Sequence, residues 1–360
     1  MNDERTRNNT YGFRYYADFK IIEGLNFRLN YGRDINELLS KEYENNIIGD
    51  AQPTGRYAET RARREVENFN QILSFNKTFN DVHNLEITAG HESFDRQFSS
   101  MFGRAIEQTA EGIYEFDNFA NINGLGGSTT NKTIEGYFLR TNYNFDNKYY
   151  ISASARRDGS SVFSTDARWG NFYSVGAAWV LTQEDFMSGV DFVDFLKVKA
   201  SYGVLGQSAG VGFYPGYNIY SVNNLNDNIS LAFTTKGNKD LTWESSNQFN
   251  TGFEFEMFGF LEGSIEYYTK ETSDMFFARN VGPSVGYSSI QVNDGGLITR
   301  GIEFDFDFSL VKSSKFSLNL GINGESLKNE FLALPIDPAT GEQQKFINGS
   351  YAYEVGRSKY

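Results

Sequence analysis

Acidic side chains recur at spacings of two or four residues in two neighbouring segments of the sequence. These carboxylates are Glu254, Glu256, Glu262, Glu266, Glu303, Asp305 and Asp307. Because side chains on a strand alternate between faces, these spacings place the acidic residues on one side of a sheet. Like charges this close repel unless they are solvated or paired. Two interpretations stay open: a hydrated acidic wall, or a surface that meets basic residues of another domain.

A second candidate set consists of aromatic rings spaced among Gly, Pro and Asn in a long polar segment. Its members are Phe213, Tyr214, Tyr217, Tyr220 and Trp243. Flat rings beside amide side chains suit contact with a sugar face or a peptide backbone. The alternative is that these rings pack on one another or on a partner protein.

Groups that perform catalysis are scarce. His83 and His91 are the only histidines, and their spacing suits no common metal site. The chain has no Cys, so thiol chemistry is excluded. The glycine pairs 126–127 and 295–296 lie between predicted strands and not before a helix, which excludes a phosphate loop. We therefore expect no enzyme activity, no metal and no cofactor.

The elements that position these residues are strands, because apolar and polar residues alternate with period two. The alternation predicts about twelve strands in an all-β fold, arranged as hairpins with short turns. The predicted hairpins pair residues 10–20 with 25–34, 65–79 with 85–99, 133–145 with 148–158, 168–181 with 195–205, 244–257 with 261–272, and 297–310 with 316–324. The predicted long loops are 35–64, 100–132, 159–167, 206–243 and 273–296. Residues 182–194 are predicted to contain a small helix.

Short turns on one side and long loops on the other favour a transmembrane antiparallel β-barrel, in which the apolar face contacts lipid. Aromatic residues near the short turns are predicted to form an interfacial girdle. They are Phe79, Phe145, Tyr149, Trp179, Phe255, Phe258 and Phe316. The alternative is a secreted soluble all-β protein, an adhesin or a glycan-binding protein, that buries the apolar faces between two sheets.

Composition agrees with a polar-lined barrel. Of 360 residues, 16% are aromatic and only 5 are Pro, which permits long uninterrupted strand ladders. The formal net charge of -13 argues against nucleic acid as a partner. No stretch approaches the roughly 18 apolar residues of a membrane helix.

From residue 156 onward, six motifs follow one another in a recognisable order. They are RRDGSS at 156–161, RWGNFYSVGAAW at 168–179, LKVKASYGVLGQ at 196–207, NKDLTWE at 238–244, GSIEYYTKETSDMFF at 263–277 and NDGGLITRGIEFDF at 293–306. This succession resembles the SusC/RagA family of TonB-linked outer-membrane transporters of Bacteroidetes. Gln207 and Lys239 depart from the family pattern, which tends to have Asn and Pro there.

The resemblance implies part of a 22-stranded outer-membrane barrel that imports a nutrient, an oligosaccharide or a peptide. It also implies an N-terminal plug domain, a SusD-like lipoprotein on the cell surface, and energy supplied by the TonB–ExbB–ExbD complex. The sequence begins with strand alternation and has no apolar signal-peptide core. We therefore expect residues 1–360 to be an incomplete barrel domain that lacks the plug and the signal peptide.

Overall fold

The computed structural model describes residues 2–348 and 351–358. Its strands are β1 (Asp3–Ile22), β2 (Leu25–Glu44), β3 (Arg56–Phe79), β4 (His83–Gln108), β5 (Phe119–Phe145), β6 (Tyr149–Ser160), β7 (Trp169–Val180), β8 (Val193–Gln207), β9 (Ile219–Leu225), β10 (Asn228–Thr235), β11 (Glu244–Met257), β12 (Leu261–Asn280), β13 (Ser289–Lys312), β14 (Ser317–Ala333), β15 (Phe346–Asn348) and β16 (Tyr351–Tyr353). The helical elements in this part of the chain are 3₁₀ turns, at Phe116–Asn118, Leu181–Gln183, Asp185–Met187 and Pro283–Val285. None of the helices described could cross a membrane.

A single 12-stranded sheet has the order β1-β2-β3-β4-β5-β6-β7-β8-β11-β12-β13-β14. Strands that are adjacent in the sheet are therefore consecutive in the chain, except that β9 and β10 are inserted between β8 and β11. The registers from β6 to β8 and from β11 to β14 are antiparallel. The predicted all-β class and the predicted number of strands are confirmed.

The tightest turns contain residues with positive φ. Asn80 and Asp81 have φ of 49° and 60°, and Asp146 and Asn147 have φ of 54° and 51°. Two consecutive positive φ values characterise the type I′ turn, whose twist matches that of the flanking strands. Asn and Asp tolerate this conformation better than other non-glycine residues. These residues therefore fix the hairpins at the positions where the sequence predicts turns.

Several predicted loops are shorter than expected, because the strands continue into them. β2 extends to Glu44 and β3 begins at Arg56, so most of predicted loop 35–64 is strand. Predicted loops 100–132 and 273–296 are likewise largely strand. Cross-strand ion pairs support the added length, for example Arg63 Nη1 to Glu37 Oε1 at 3.1 Å. Such pairs stabilise a ladder without the apolar alternation on which the sequence prediction relied.

The insertion between β8 and β11 contains a hairpin that the sequence reading missed. β9 and β10 pair around Asn226 and Asp227, which have φ of 50° and 60°. The dipeptide Asn-Asp between two short alternating runs was the available signal. The predicted small helix at 182–194 is instead a pair of short 3₁₀ turns.

The chain divides into two compact units. The first comprises residues 2–19, 28–71 and 91–135, and its core is the buried group Tyr43, Tyr57, Ala105 and Phe119. The second comprises residues 20–27, 72–90 and 136 onward. Its core is a separate cluster around Phe163.

Candidate functional site

One face of β6 and β7 is apolar and exposed. Tyr149, Ile151, Ala153 and Ala155 lie opposite Trp179, Ala177, Val175 and Tyr173 in an uninterrupted register. Ile151, Val175 and Tyr173 are 54%, 51% and 51% exposed. Contiguous apolar surface of this kind is rare on soluble monomers and marks contact with lipid or another protein.

The height of this apolar band can be measured along β7. Trp179 and Trp169 lie ten residues apart on this face, and the only polar row between them is Arg157 opposite Asn171, next to Trp169. Ten residues rise about 33 Å along a strand, which becomes about 25 Å when the strand tilts by about 40°. The apolar band of outer-membrane barrels is about 25 Å tall and is flanked by aromatic residues at both interfaces. The spacing of the two tryptophans therefore matches the thickness of a membrane.

At the short-turn end of the band, three of the residues predicted for the girdle stack on one another. Phe145 and Trp179 each stack on Tyr149, with ring centroids 6.2 Å apart in both cases. The Tyr149 hydroxyl and Trp179 Nε1 both donate to the Glu184 carboxylate, which also lies 3.4 Å from Lys148 Nζ. The hydrogen bond from Tyr149, followed by that from Trp179, lowers the pKa of Glu184. Glu184 thus accepts hydrogen bonds from the polar ends of both rings.

The remaining predicted girdle residues differ in exposure. Phe79, Phe258 and Phe316 are exposed near short turns. Phe255 is only 6% exposed, because it packs against Phe306, with ring centroids 6.0 Å apart. Gly263 lies between them in the sheet, and the absence of its side chain lets these rings meet. Phe255 is therefore a packing residue on the band and not an exposed interfacial ring.

The opposite face carries the acidic wall, and the register brings its members into cross-strand rows. Glu256, Glu262 and Asp307 form one row, and Glu266 lies opposite Glu303 in another. The structure therefore brings together all the predicted members of the wall. They are Glu254, Glu256, Glu262, Glu266, Glu303, Asp305 and Asp307.

The sequence reading missed two lysines at the edge of this wall. Lys197 Nζ lies 3.1 Å from Glu254, and Lys199 Nζ lies 2.7 Å from Glu254 and 2.5 Å from Glu266. The other five wall carboxylates form no ion pair with any residue that the structure describes. The available signal was the K-V-K spacing of β8, which places both lysines on one face.

Beside the wall, the same face contains an amide-rich concavity of about 570 Å³. Its lining includes Asn76, Asn84, Asn142, Asn144, Asn250, Ser152, Ser201 and Lys199. Polar lining on this face and apolar surface on the other is the distribution of a barrel wall with a wet interior.

The long-loop end of this unit is held by a buried cluster. Val162, Phe163, Phe172, Val211, Leu241 and Trp243 form it. A methyl group at Gly206 would lie 1.9 Å from the Phe172 ring, so only glycine leaves room for this ring. Residues from the motifs at 168–179, 196–207 and 238–244 therefore meet in one core.

Trp243 belongs to this cluster, and the structure removes it from the predicted ligand-contacting set. It is 7% exposed, and its Nε1 donates to the Arg168 carbonyl at 2.8 Å. By contrast, Tyr214, Tyr217 and Tyr220 are 37%, 51% and 52% exposed. Phe213 lies beside Tyr214, with ring centroids 6.4 Å apart.

Hydrogen bonds fix the base of the loop that carries these tyrosines. The Ser164 hydroxyl donates to the Lys239 carbonyl at 2.5 Å, and the Thr242 hydroxyl donates to the Ala167 carbonyl at 3.0 Å. Asn293 Nδ2 donates to the Thr242 carbonyl at 3.0 Å. The tyrosines are thus displayed from a rigid base, which lowers the entropy cost of binding.

The two histidines lie on β4 and have separate partners on β5. His83 Nδ1 lies 2.7 Å from the Tyr143 hydroxyl, and His91 Nε2 lies 3.2 Å from Glu135 Oε1. Within the part of the chain that the structure describes, no group of acidic and histidine residues has metal-binding geometry.

The antiparallel sheet has an exposed apolar band on one face and polar residues on the opposite face. These features define the wall of a transmembrane β-barrel. The chain belongs to the family described as TonB dependent receptor-like, beta-barrel, whose model matches residues 1–353. This is a family of outer-membrane receptors and transporters and not of enzymes.

The chain is similar to known proteins over nearly its whole length. It is 31% identical to TonB-dependent receptor P39 of Formosa agariphila, covering 99% of this chain and 34% of that protein. It is 29% identical to TonB-dependent receptor SusC of Bacteroides thetaiotaomicron, covering 57% of this chain and 21% of SusC. The structure of the RagAB peptide importer in its closed-closed state matches with a TM-score of 0.91 at 22% identity, covering 99% of this chain and 40% of that chain. This chain thus spans about a third of the length of the P39 receptor.

Proposed function

We propose that this chain forms part of the barrel wall of a TonB-dependent importer that takes up an oligosaccharide, with a peptide as the alternative cargo. The exposed apolar band between the two tryptophans of β7 carries this proposal, because such a surface is typical of strands that contact lipid. The resemblance of the six motifs to the SusC/RagA family is the reason for proposing an oligosaccharide, and the matched RagAB peptide importer is the reason for keeping a peptide as the alternative.

The proposed assembly includes components outside this chain. A SusD-like lipoprotein would bind at the long-loop side, and the TonB–ExbB–ExbD complex would supply energy. A plug domain would fill the barrel, and the strands would cross the outer membrane in a multi-pass arrangement. The exposed tyrosines of the insertion between β8 and β11 support a role for that side in recognition.

Replacing Tyr214 and Tyr217 together with Ala tests the contact of this loop with cargo. We expect uptake of the cargo to fall about two- to tenfold for each ring that contacts it, since aromatic contacts contribute about 0.5–1.5 kcal/mol. Uptake of a labelled oligosaccharide and a labelled peptide should be measured in cells with equal surface amounts of the protein. Phe316→Ala is the matched control, because Phe316 is 59% exposed at a short turn. Unchanged uptake of both cargos in the double variant would exclude these rings from recognition.

Some carboxylates of the acidic wall have no ion-pair partner among the described residues. Their free negative charge supports the proposal that the wall contacts basic residues of the plug domain. Glu256 and Asp307 lie in one cross-strand row through Glu262 and have no ion pair among the described residues. Glu254 is a poor choice for a test, because it already binds Lys197 and Lys199.

Glu256→Lys with Asp307→Lys is therefore expected to loosen the plug. We expect large antibiotics that wild-type cells exclude to enter the variant cells, while the amount of protein at the surface stays the same. Lys197→Gln with Lys199→Gln is the control for altered charge on the same face. If antibiotic entry and detergent stability both match the wild type, the wall is only a hydrated surface.

A further inference from the structure

Within the first unit, one face of β1 carries a row of exposed aromatic side chains. Tyr11, Phe13 and Tyr15 are 47%, 44% and 63% exposed and share one face of β1. Tyr15 stacks on Tyr31 of β2 with ring centroids 6.4 Å apart, which places Tyr31 on that face as well. Arg14 binds Asp34 on the other face, at 2.7 Å.

Beyond Tyr11 of β1, this same face forms a groove of about 460 Å³, and on β2 and β3 the ion pairs of Arg33 with Glu65 and Glu67 lie between Tyr31 and this groove. Its lining includes Arg7, Asn9, Glu37, Leu39, Arg61, Arg63 and Met101. Arg7 lies four residues beyond Tyr11, which corresponds to about 13 Å along the strand and about 10 Å of height. The groove therefore lies where lipid headgroups follow the hydrocarbon.

The charges of the groove leave one cation uncompensated. Arg63 binds Glu37 at 3.1 Å and also binds Glu65, and Arg61 binds Glu59 at 2.6 Å. Arg7 has neither an ion pair nor a side-chain hydrogen bond among the residues that the structure describes. Met101, at the edge of the groove, is 58% exposed and offers apolar surface beside these guanidinium groups.

We propose that this groove binds the phosphorylated headgroup of an outer-leaflet lipid, with Arg7 as the principal contact. A guanidinium matches the geometry of a phosphate with two parallel hydrogen bonds. Leu39 and Met101 provide apolar contact for the part of the lipid next to the headgroup. The groove is continuous with the lipid-facing rings Tyr11, Phe13 and Tyr15, which favours a lipid over a soluble anion. This inference rests on the membrane placement under the proposed function.

Arg7→Gln tests this inference without breaking an ion pair. The protein as produced in its own outer membrane should be purified and placed in phosphatidylcholine nanodiscs, with and without phosphorylated lipid A. We expect the affinity for lipid A, measured by native mass spectrometry, to fall about fivefold in the variant, since each basic residue near an anionic surface contributes about 1 kcal/mol. Arg64→Gln is the matched control, because Arg64 lies on the opposite face of β3 and carries the same charge.

The outcomes separate the possible sources of the anion. Wild-type affinity in Arg7→Gln, or an equal loss in Arg64→Gln, overturns the proposed site. Competition by millimolar inorganic phosphate as strong as that by lipid A assigns the groove to a soluble anion and overturns the lipid assignment. Failure of the wild-type protein to enter the membrane fraction contradicts the proposed function itself, whereas loss of lipid selectivity alone contradicts only this inference.

Discussion

Ala153→Arg is expected to destabilise the folded barrel by about 2–4 kcal/mol, the cost of placing arginine near the middle of the hydrocarbon. Ala153 lies on the apolar face of β6, opposite Val175, between the rows of Tyr149 and Trp169. A guanidinium there loses its hydration and has no carboxylate partner on that face of β6 or β7. The measurement is the free energy of unfolding by urea, with the protein folded into phosphatidylcholine vesicles.

Ser152→Arg is the matched control, since Ser152 is the preceding residue and lines the polar cavity on the opposite face. We expect this variant to stay within about 0.5 kcal/mol of the wild type, as surface substitutions usually do. If the Ala153 variant inserts poorly, the fraction of folded barrel can be measured instead by heat-modifiable migration in SDS–polyacrylamide gels. Both positions are exposed, so a water-soluble protein would tolerate both arginines equally. Equal stability of the two variants would thus contradict the lipid-facing band.

Phe163→Ala is expected to cost about 3–5 kcal/mol, as is typical for removing a buried aromatic ring. Phe163 is fully buried and packs against Trp243, with ring centroids 5.5 Å apart, and against Phe276 at 6.2 Å. The cavity left behind would loosen the base of the insertion between β8 and β11. We expect faster proteolysis within residues 208–243, together with the lower free energy of unfolding in urea.

Phe186→Ala serves as the comparison, because Phe186 is 65% exposed on a 3₁₀ turn at the other edge. It should change the unfolding free energy by less than about 1 kcal/mol and leave the proteolysis of residues 208–243 unchanged. A Phe163 variant whose loop resists protease as the wild-type loop does would show that the cluster does not hold the insertion.

Much of the fold could be predicted because the information was local. Alternation along a single strand identified the apolar and polar faces, and Asp146-Asn147 identified a tight turn. The strand extensions at Glu44 and Arg56 could not be predicted in this way. Their stability comes from pairs such as Arg63 with Glu37, which are remote in sequence.

The candidate sites show the same division. The acidic wall was predictable because residues two positions apart on a strand, such as Glu254 and Glu256, point to the same face. The ion pairs that neutralise the charge of Glu254 with Lys197 and Lys199 were not predictable, since they depend on how β8 pairs with β11. For Trp243, polarity and spacing favoured an exposed recognition ring, whereas tertiary packing buries it beside Phe163 and Phe172.

Local sequence was sufficient for the period of the strands, the positions of several turns and the assignment of side chains to faces, because these properties depend only on near neighbours along the chain. The tertiary structure alone decided which strands pair in which register, and therefore which charges are neutralised and which rings are covered. The physical reason is that a cross-strand contact is about 5 Å long in space but joins residues tens of positions apart in the chain.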